Sequence, residues 1–163
     1  MIAEKFRVIF DCNILWRAFF SRGSGYSCKR LINTATVDHF ISPDTVKELT
    51  DVLTREGTLR QFPQYSVLDA TDFVKEIVSK STFVNKVECF VSLNRDTKDE
   101  PYLNLAIAVD ADYLVTTDRD MLDLMTGIDL ESKQFRQRFR RLKIIHPDEF
   151  LRQMSEIDLS LRP

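Results

Sequence analysis

The sequence predicts a three-layer α/β fold with a central, mainly parallel sheet, and three observations predict it. Short apolar segments alternate with helix-length amphipathic ones along the chain. The best of the short segments, Phe6–Phe10 and Tyr113–Thr116, read as buried strands, as expected of a sheet covered on both faces. The 163 residues contain no fixed-period repeat and no Gly/Ser/Pro linker, so one domain over 1–163 is expected. A chain of this size buries roughly 70% of its unfolded surface, enough for a substantial core.

In order, Phe6-Arg7-Val8-Ile9-Phe10 reads as a strand ending at Asp11, and Asn13–Phe20 as a helix. Ser21-Arg22-Gly23-Ser24-Gly25 is the clearest loop, followed by a helix over Tyr26–Ala35 and a short strand around His39–Ile41. Ser42 and Pro43 form a cap and first-turn proline, and Val46, Leu49, Val52 and Leu53 recur at helical spacing behind them. Val67–Lys80 is an amphipathic helix with Leu68, Phe73, Ile77 and Val78 as its apolar positions. A weakly signalled strand over Lys86–Val91 precedes a helix over Pro101–Val109. Tyr113–Thr116 is a central strand, Leu142–Ile145 the last strand and Pro147–Met154 the last helix.

Composition removes several function classes. Lys+Arg number 23 against 25 Asp+Glu, a net charge of −2, which argues against nucleic-acid binding by bulk positive charge. With four glycines and five prolines the chain is neither collagenous nor low-complexity. Its longest apolar runs, such as Leu103–Val109, are too short to span a bilayer, so no membrane association is expected. Met1–Phe10 lacks the features of a signal peptide, and Cys12, Cys28 and Cys89 form neither a disulfide framework nor a zinc motif. A reducing cytoplasm is the expected compartment.

The chemistry lies in carboxylates. In open parallel sheets, ligands collect outside the carboxyl ends of strands, near the point where strand order reverses. Asp11 follows the first strand directly, and Asp118 comes two residues after Thr116. Each also stands where Asp commonly caps a turn or helix. Glu48 borders the apolar face of its helix, where a solvated Glu is the ordinary alternative, and Asp99 sits where the next helix needs an N-cap. Four carboxylates brought together repel one another unless a cation is present, and oxygen donors suit Mg²⁺ or Mn²⁺. Such a site generates a metal-bound hydroxide and stabilises a departing phosphodiester oxygen.

Val8–Leu15, with its Asp11-Cys12-Asn13 step, resembles the opening strand and turn of PIN-domain nucleases. Ser42–Leu49 is similar to that family's acidic helix, Arg95–Asp99 followed by Leu103–Ala106 to its third acidic segment, and Asp112–Leu122 to its strand ending in Thr-x-Asp. Ile144–Leu151 resembles the closing strand and helix of a bacterial toxin subgroup. The resemblance covers Phe6 to Leu151 and implies a PIN-like fold with metal-dependent endoribonuclease activity on single-stranded or looped RNA. It implies Asp11, Glu48, Asp99 and Asp118 as catalytic and metal-holding acids, with Asn13 and Thr116 supporting them. It also implies the toxin role in a toxin–antitoxin pair, with an antitoxin protein and a homodimer as partners. Asp96 and Asp120 are peripheral acids, Asp120 being the better candidate for an outer contribution. Cys12 stands where Thr is more usual and Thr117 where a small residue is, which bears on specificity more than on the acid set.

An acidic pocket that takes RNA needs cations around it. Lys133, Arg136, Arg138, Arg140 and Arg141 lie in the acid-free stretch Ser132–Lys143, interleaved with Phe135 and Phe139 at i and i+4. This stretch reads either as a phosphate-tracking edge or as a solvated basic helix packing its phenylalanines, and the two are compatible. Arg22 and Lys29 are expected across the cleft. Rival classes are a catalytically silent RNA- or protein-binding module, a housekeeping RNA-processing nuclease without an antitoxin, and a haloacid-dehalogenase-type hydrolase. The last needs Asp-x-Asp after its first strand and meets Asn13 instead.

Overall fold

The computed structural model describes residues 4–93 and 96–160. Its strands are β1 (Arg7–Phe10), β2 (Asp38–Ile41), β3 (Thr82–Phe83), β4 (Tyr113–Val115) and β5 (Lys143–Ile145). The helices are α1 (Cys12–Phe20), α2 (Ser24–Asn33), α3 (Pro43–Thr54), α4 (Glu56–Gln61), α5 (Val67–Lys80), α6 (Glu100–Ala108), α7 (Arg119–Thr126), α8 (Leu130–Arg138) and α9 (Pro147–Ser160). The strands form one sheet in the order β3-β2-β1-β4-β5, every pair parallel. The expected three-layer α/β architecture is therefore present, with a wholly parallel sheet. No helix among the described residues is long and apolar enough to cross a membrane.

The order places β1 beside β4, where the chain, having built outward through β2 and β3, crosses back to the other side. That reversal opens the crevice in which parallel sheets bind ligands. Phe10 pairs with Val115, so Asp11 and Thr116 leave the two strands side by side. Ile9, Leu114 and Val115 are fully buried in the sheet, and Phe10 and Tyr113 pack on Phe150 of α9 at centroid distances of 5.8 and 5.3 Å.

Three expectations need correction. Gly25 belongs to α2, not to the loop before it, because α1 crosses α2 at that residue. A Cβ there would stand 2.6 Å from the Ile14 carbonyl oxygen, so the glycine serves close approach. In α5 the buried face is Ala70, Phe73, Val74 and Ile77, while Leu68 is exposed at the first turn. The strand expected over Lys86–Val91 does not form. The edge strand is β3, which pairs with Phe40 and Ile41 before the chain turns away from β2.

The buried amide of Asn104 on α6 takes the place of a strand partner for that segment. Its Oδ1 accepts from the backbone N–H groups of Phe90 and Val91 at 2.7 and 2.8 Å, and its Nδ2 donates to the Val91 carbonyl at 3.2 Å. Replacing this amide would strand three backbone groups at once. Asn104→Ala should destabilise the protein by about 3 kcal/mol, read by urea denaturation, with Asn104→Asp milder.

Candidate active site

Each of the four acids reaches the cleft by a different local device. Asp11 leaves β1 and is 7% exposed. Its Oδ2 accepts from Thr116 Oγ1 at 2.6 Å and from Asn13 Nδ2 at 2.9 Å, so β4 and the first turn of α1 both orient it. Thr116 Oγ1 in turn accepts from the Asp118 N–H at 2.9 Å, tying the two acidic strand ends together. Asp118 is the N-cap of α7, its Oδ1 accepting from the N–H groups of Asp120 at 2.8 Å and Met121 at 3.4 Å. Asp118 thus caps α7 and lines the cleft with the same side chain.

Glu48 stands in α3, which starts at a Ser42/Thr45 capping box with Pro43 in its first turn. Its Oε2 accepts a 2.5 Å hydrogen bond from the buried Tyr102 hydroxyl on α6. Asp99 occupies the N-cap position of α6 but makes no side-chain capping bond, although it is buried. A carboxylate that does not cap its helix has its charge available to the cleft.

These side chains line one open cleft of about 440 Å³ together with Cys12, Asn13, Trp16, Val52, Asp96, Lys98 and Tyr102. Burial, and then the charges of Glu48 and Asp118, push the Asp11 carboxyl up to about 6 despite the Thr116 hydrogen bond. Asp99 is pushed up to about 7 by burial and by the charges of Asp118, Asp11, Asp96 and Asp120. Neighbouring acids thus add to burial in raising the Asp11 and Asp99 carboxyls. Burial followed by the charges of Glu48 and Asp11 raises the Cys12 thiol to about 12, so it stays protonated and is no nucleophile. His39 is buried against Ser81 and Phe10, and burial lowers its pKa to about 3.

The remaining expected residues fall into distinct places. Asp96 lines the cleft, and its Oδ1 accepts from the Lys98 N–H in a tight turn. Asp120 is exposed at the start of α7 and acts on the site through its charge on Asp99. Arg95, in the third acidic segment, lies outside the described residues.

The basic stretch does not line the acidic cleft. Arg136 donates to the carbonyls of Leu124 and Gly127 at 2.7 and 2.8 Å, closing the end of α7. Arg141 pairs with Asp110 and Asp112 at 2.9 Å, at the opposite end of β4 from Thr116. Lys133, Arg138 and Arg140 are exposed, with Arg138 over the Phe139 ring at 5.0 Å. Lys29 is not across the cleft: it is buried between α2 and α5 and pairs with Glu76 at 2.9 Å. Arg22 is exposed and outside the cleft lining.

Three cleft residues were not singled out from the sequence. Tyr102 follows Asp99 by three positions, Trp16 follows Asn13 by three, and Lys98 precedes Asp99 directly. Helical spacing from an acidic-motif residue was the available signal for the two aromatics, but aromatics at that spacing usually belong to a core.

In donor type, the cleft fits a hard divalent cation: it offers carboxylate oxygens, and Asn13 Oδ1 is buried without a hydrogen-bond donor among the described residues. As they stand, no three described His, Cys, Asp or Glu side chains are gathered closely enough to hold one.

Four carboxylates thus line one cleft at the switch point of a parallel α/β sheet. A family model described as PIN domain matches residues 7–120, and the chain belongs to that family. PIN domains are generally nucleases and typically use divalent metal ions. The match ends at the start of α7, so β5, α8 and α9 lie beyond it. Among curated proteins, none matches the chain.

The raised carboxyls set a sign for stability against pH. A carboxyl whose folded pKa exceeds its unfolded value keeps its proton longer in the folded state, so stability falls as pH rises through that interval. Without divalent metal the protein should lose stability between about pH 4 and pH 7, the interval from the ordinary 3.8 to the Asp11 and Asp99 values. At 1.36 kcal/mol per pH unit the Asp11 contribution is roughly 3 kcal/mol. Asp11→Asn should flatten the decline in thermal melts and be stabilised less by Mn²⁺.

Proposed function

We propose that this PIN-domain protein is a Mg²⁺- or Mn²⁺-dependent endoribonuclease cleaving single-stranded or looped RNA, as the toxin of a toxin–antitoxin pair. The observation that carries the reading is the single cleft lined by Asp11, Glu48, Asp99 and Asp118 at the β1/β4 switch point. Asp11, Asp99 and Asp118 would hold the cation, with Glu48 beside them. When bound, it supplies activation of water and neutralisation of charge building on the phosphate.

The chain's own residues prepare the site for this chemistry. Thr116 and Asn13 fix the Asp11 carboxylate before any ligand arrives. Tyr102 orients Glu48 through one oxygen, and the first turn of α7 orients Asp118 through one oxygen, leaving the other oxygen of each for a ligand. Burial and the neighbouring charge of Glu48 keep the Tyr102 hydroxyl protonated, so it remains a donor. With Cys12 protonated and His39 buried, neither supplies a nucleophile, and attack by water is the consistent route. Lys98 supplies a cation within the cleft lining. Outside the cleft lining, Lys133, Arg138 and Arg140 are the exposed cations of the basic stretch open to RNA phosphates, whereas Arg136 and Arg141 are engaged in helix capping and ion pairs.

The toxin role, with an antitoxin protein as partner and a homodimer as the working form, rests on the likeness of Ile144–Leu151 to the toxin subgroup. A short antitoxin-like reading frame directly upstream of the gene supports it. An isolated gene favours a housekeeping RNA-processing nuclease.

Purified protein should cleave single-stranded RNA in Mg²⁺ or Mn²⁺ and be silent in EDTA. Asp118→Asn keeps a good N-cap residue and should still fold, yet lower cleavage by roughly 10²-fold or more. Cleavage that survives chelation and persists in Asp11→Asn overturns the metal mechanism. No cleavage, with RNA binding intact, favours the silent binding module.

Neutralising Lys133, Arg138 and Arg140 together should weaken RNA binding and flatten its salt dependence, each lost phosphate contact lowering the log–log slope by roughly 0.7. An unchanged slope assigns the stretch to structure alone. Arg136→Ala, by contrast, should lower the melting temperature, because it frees two carbonyls at the end of α7.

A further inference from the structure

We propose that Trp16 is a stacking platform for one unpaired nucleobase beside the scissile phosphate, so that the site selects nucleic acid whose bases are already exposed. The inference deepens the nuclease reading and rests on it for the identity of the ligand.

Trp16 lies on α1 one turn beyond Asn13, and Val52 lies on α3 one turn beyond Glu48. Both line the same cleft as the four acids. The cleft therefore has an apolar margin along α1 and α3, and Lys98 in the turn before α6. A nucleotide presents the matching pair of features, a π face and a phosphate.

Trp16 packs against the core, and one observation separates it from an enclosed core aromatic. The other aromatic of the cleft, Tyr102, is buried and bonded to Glu48, whereas Trp16 is only half-buried. Its ring is also braced from within the protein. Phe20 lies 4.9 Å away at 56°, and Phe62 packs edge-on at 5.8 Å and 77°. An indole held this way loses little freedom when a base lies on it, which favours binding. Stacking also tolerates any base, so it selects strandedness more than sequence. A base inside a duplex cannot reach the ring without leaving its own stack.

The chain has a single tryptophan, so fluorescence excited at the red edge of indole absorption, where its four tyrosines do not absorb, reports this residue alone. Wild-type protein is titrated in Ca²⁺ with a short single-stranded RNA and with a duplex of the same length, and cleavage is measured separately in Mn²⁺. Saturable quenching by the single strand, and little by the duplex, is expected. Trp16→Ala should raise KM for the single strand roughly 10-fold with a smaller effect on kcat, and Trp16→Phe should recover much of the loss. Phe keeps an aromatic ring against Phe20 and Phe62, so the pair of variants separates loss of stacking from loss of packing. Cleavage in Mn²⁺ without quenching, with KM unchanged in both variants, overturns the platform alone. Quenching by the single strand without cleavage in any divalent metal overturns the nuclease reading and leaves the platform standing.

Discussion

A hydroxyl on one strand holds a buried carboxylate on its neighbour: Thr116 Oγ1 donates to Asp11 Oδ2 at 2.6 Å across the seam between β1 and β4. Both residues sit just past the paired register, at the place where the strand order reverses. A carboxylate this buried needs polar partners, and here they are Thr116, Asn13 and the Cys12 backbone. Those partners do not cancel the cost, since Asp11 remains well above the usual carboxylate range. The seam thus keeps a charged, partly uncompensated group at the sheet edge. The remaining acids are arranged around it.

Their support is distributed among elements that also have structural work. Asp118 follows β4 by three residues, caps α7 and acts by its charge on Asp99, so that charge cannot be separated from the start of the helix. Tyr102 links α6 to α3 through Glu48, and three positions earlier Asp99 leaves its own helix uncapped. Like charges gathered in the absence of a cation lower stability, the usual trade at a site built for electrostatic chemistry. The surrounding core accommodates that cost with apolar strands and with Phe150 beneath them.

The cationic residues divide in the same way. Arg136 and Arg141 look interchangeable with Arg138 and Arg140 in sequence, yet the first two are engaged by carbonyls and carboxylates of the fold. Lys29 is likewise held by Glu76. Beside the acids, Lys98 and the braced indole of Trp16 are the features suited to a phosphate and a base.

The sequence by itself determined the alternation of strands and helices, the parallel class of the sheet and the acidic positions at strand and helix ends. These follow from periodicity and capping chemistry, which act over a few residues. Helix α3 was legible because Ser42, Pro43 and the Val46–Leu53 spacing agree with one another. The missing strand at Lys86–Val91 was not, because its hydrogen bonds go to the side chain of Asn104, more than a dozen positions away. Tertiary structure alone decided that Gly25 lies at a helix crossing, that Leu68 faces water and that Arg136 closes α7. It also decided that Tyr102 and Trp16 border the carboxylates. In each case the partner comes from a distant or separately folded segment, and no local pattern encodes which partner a side chain will meet.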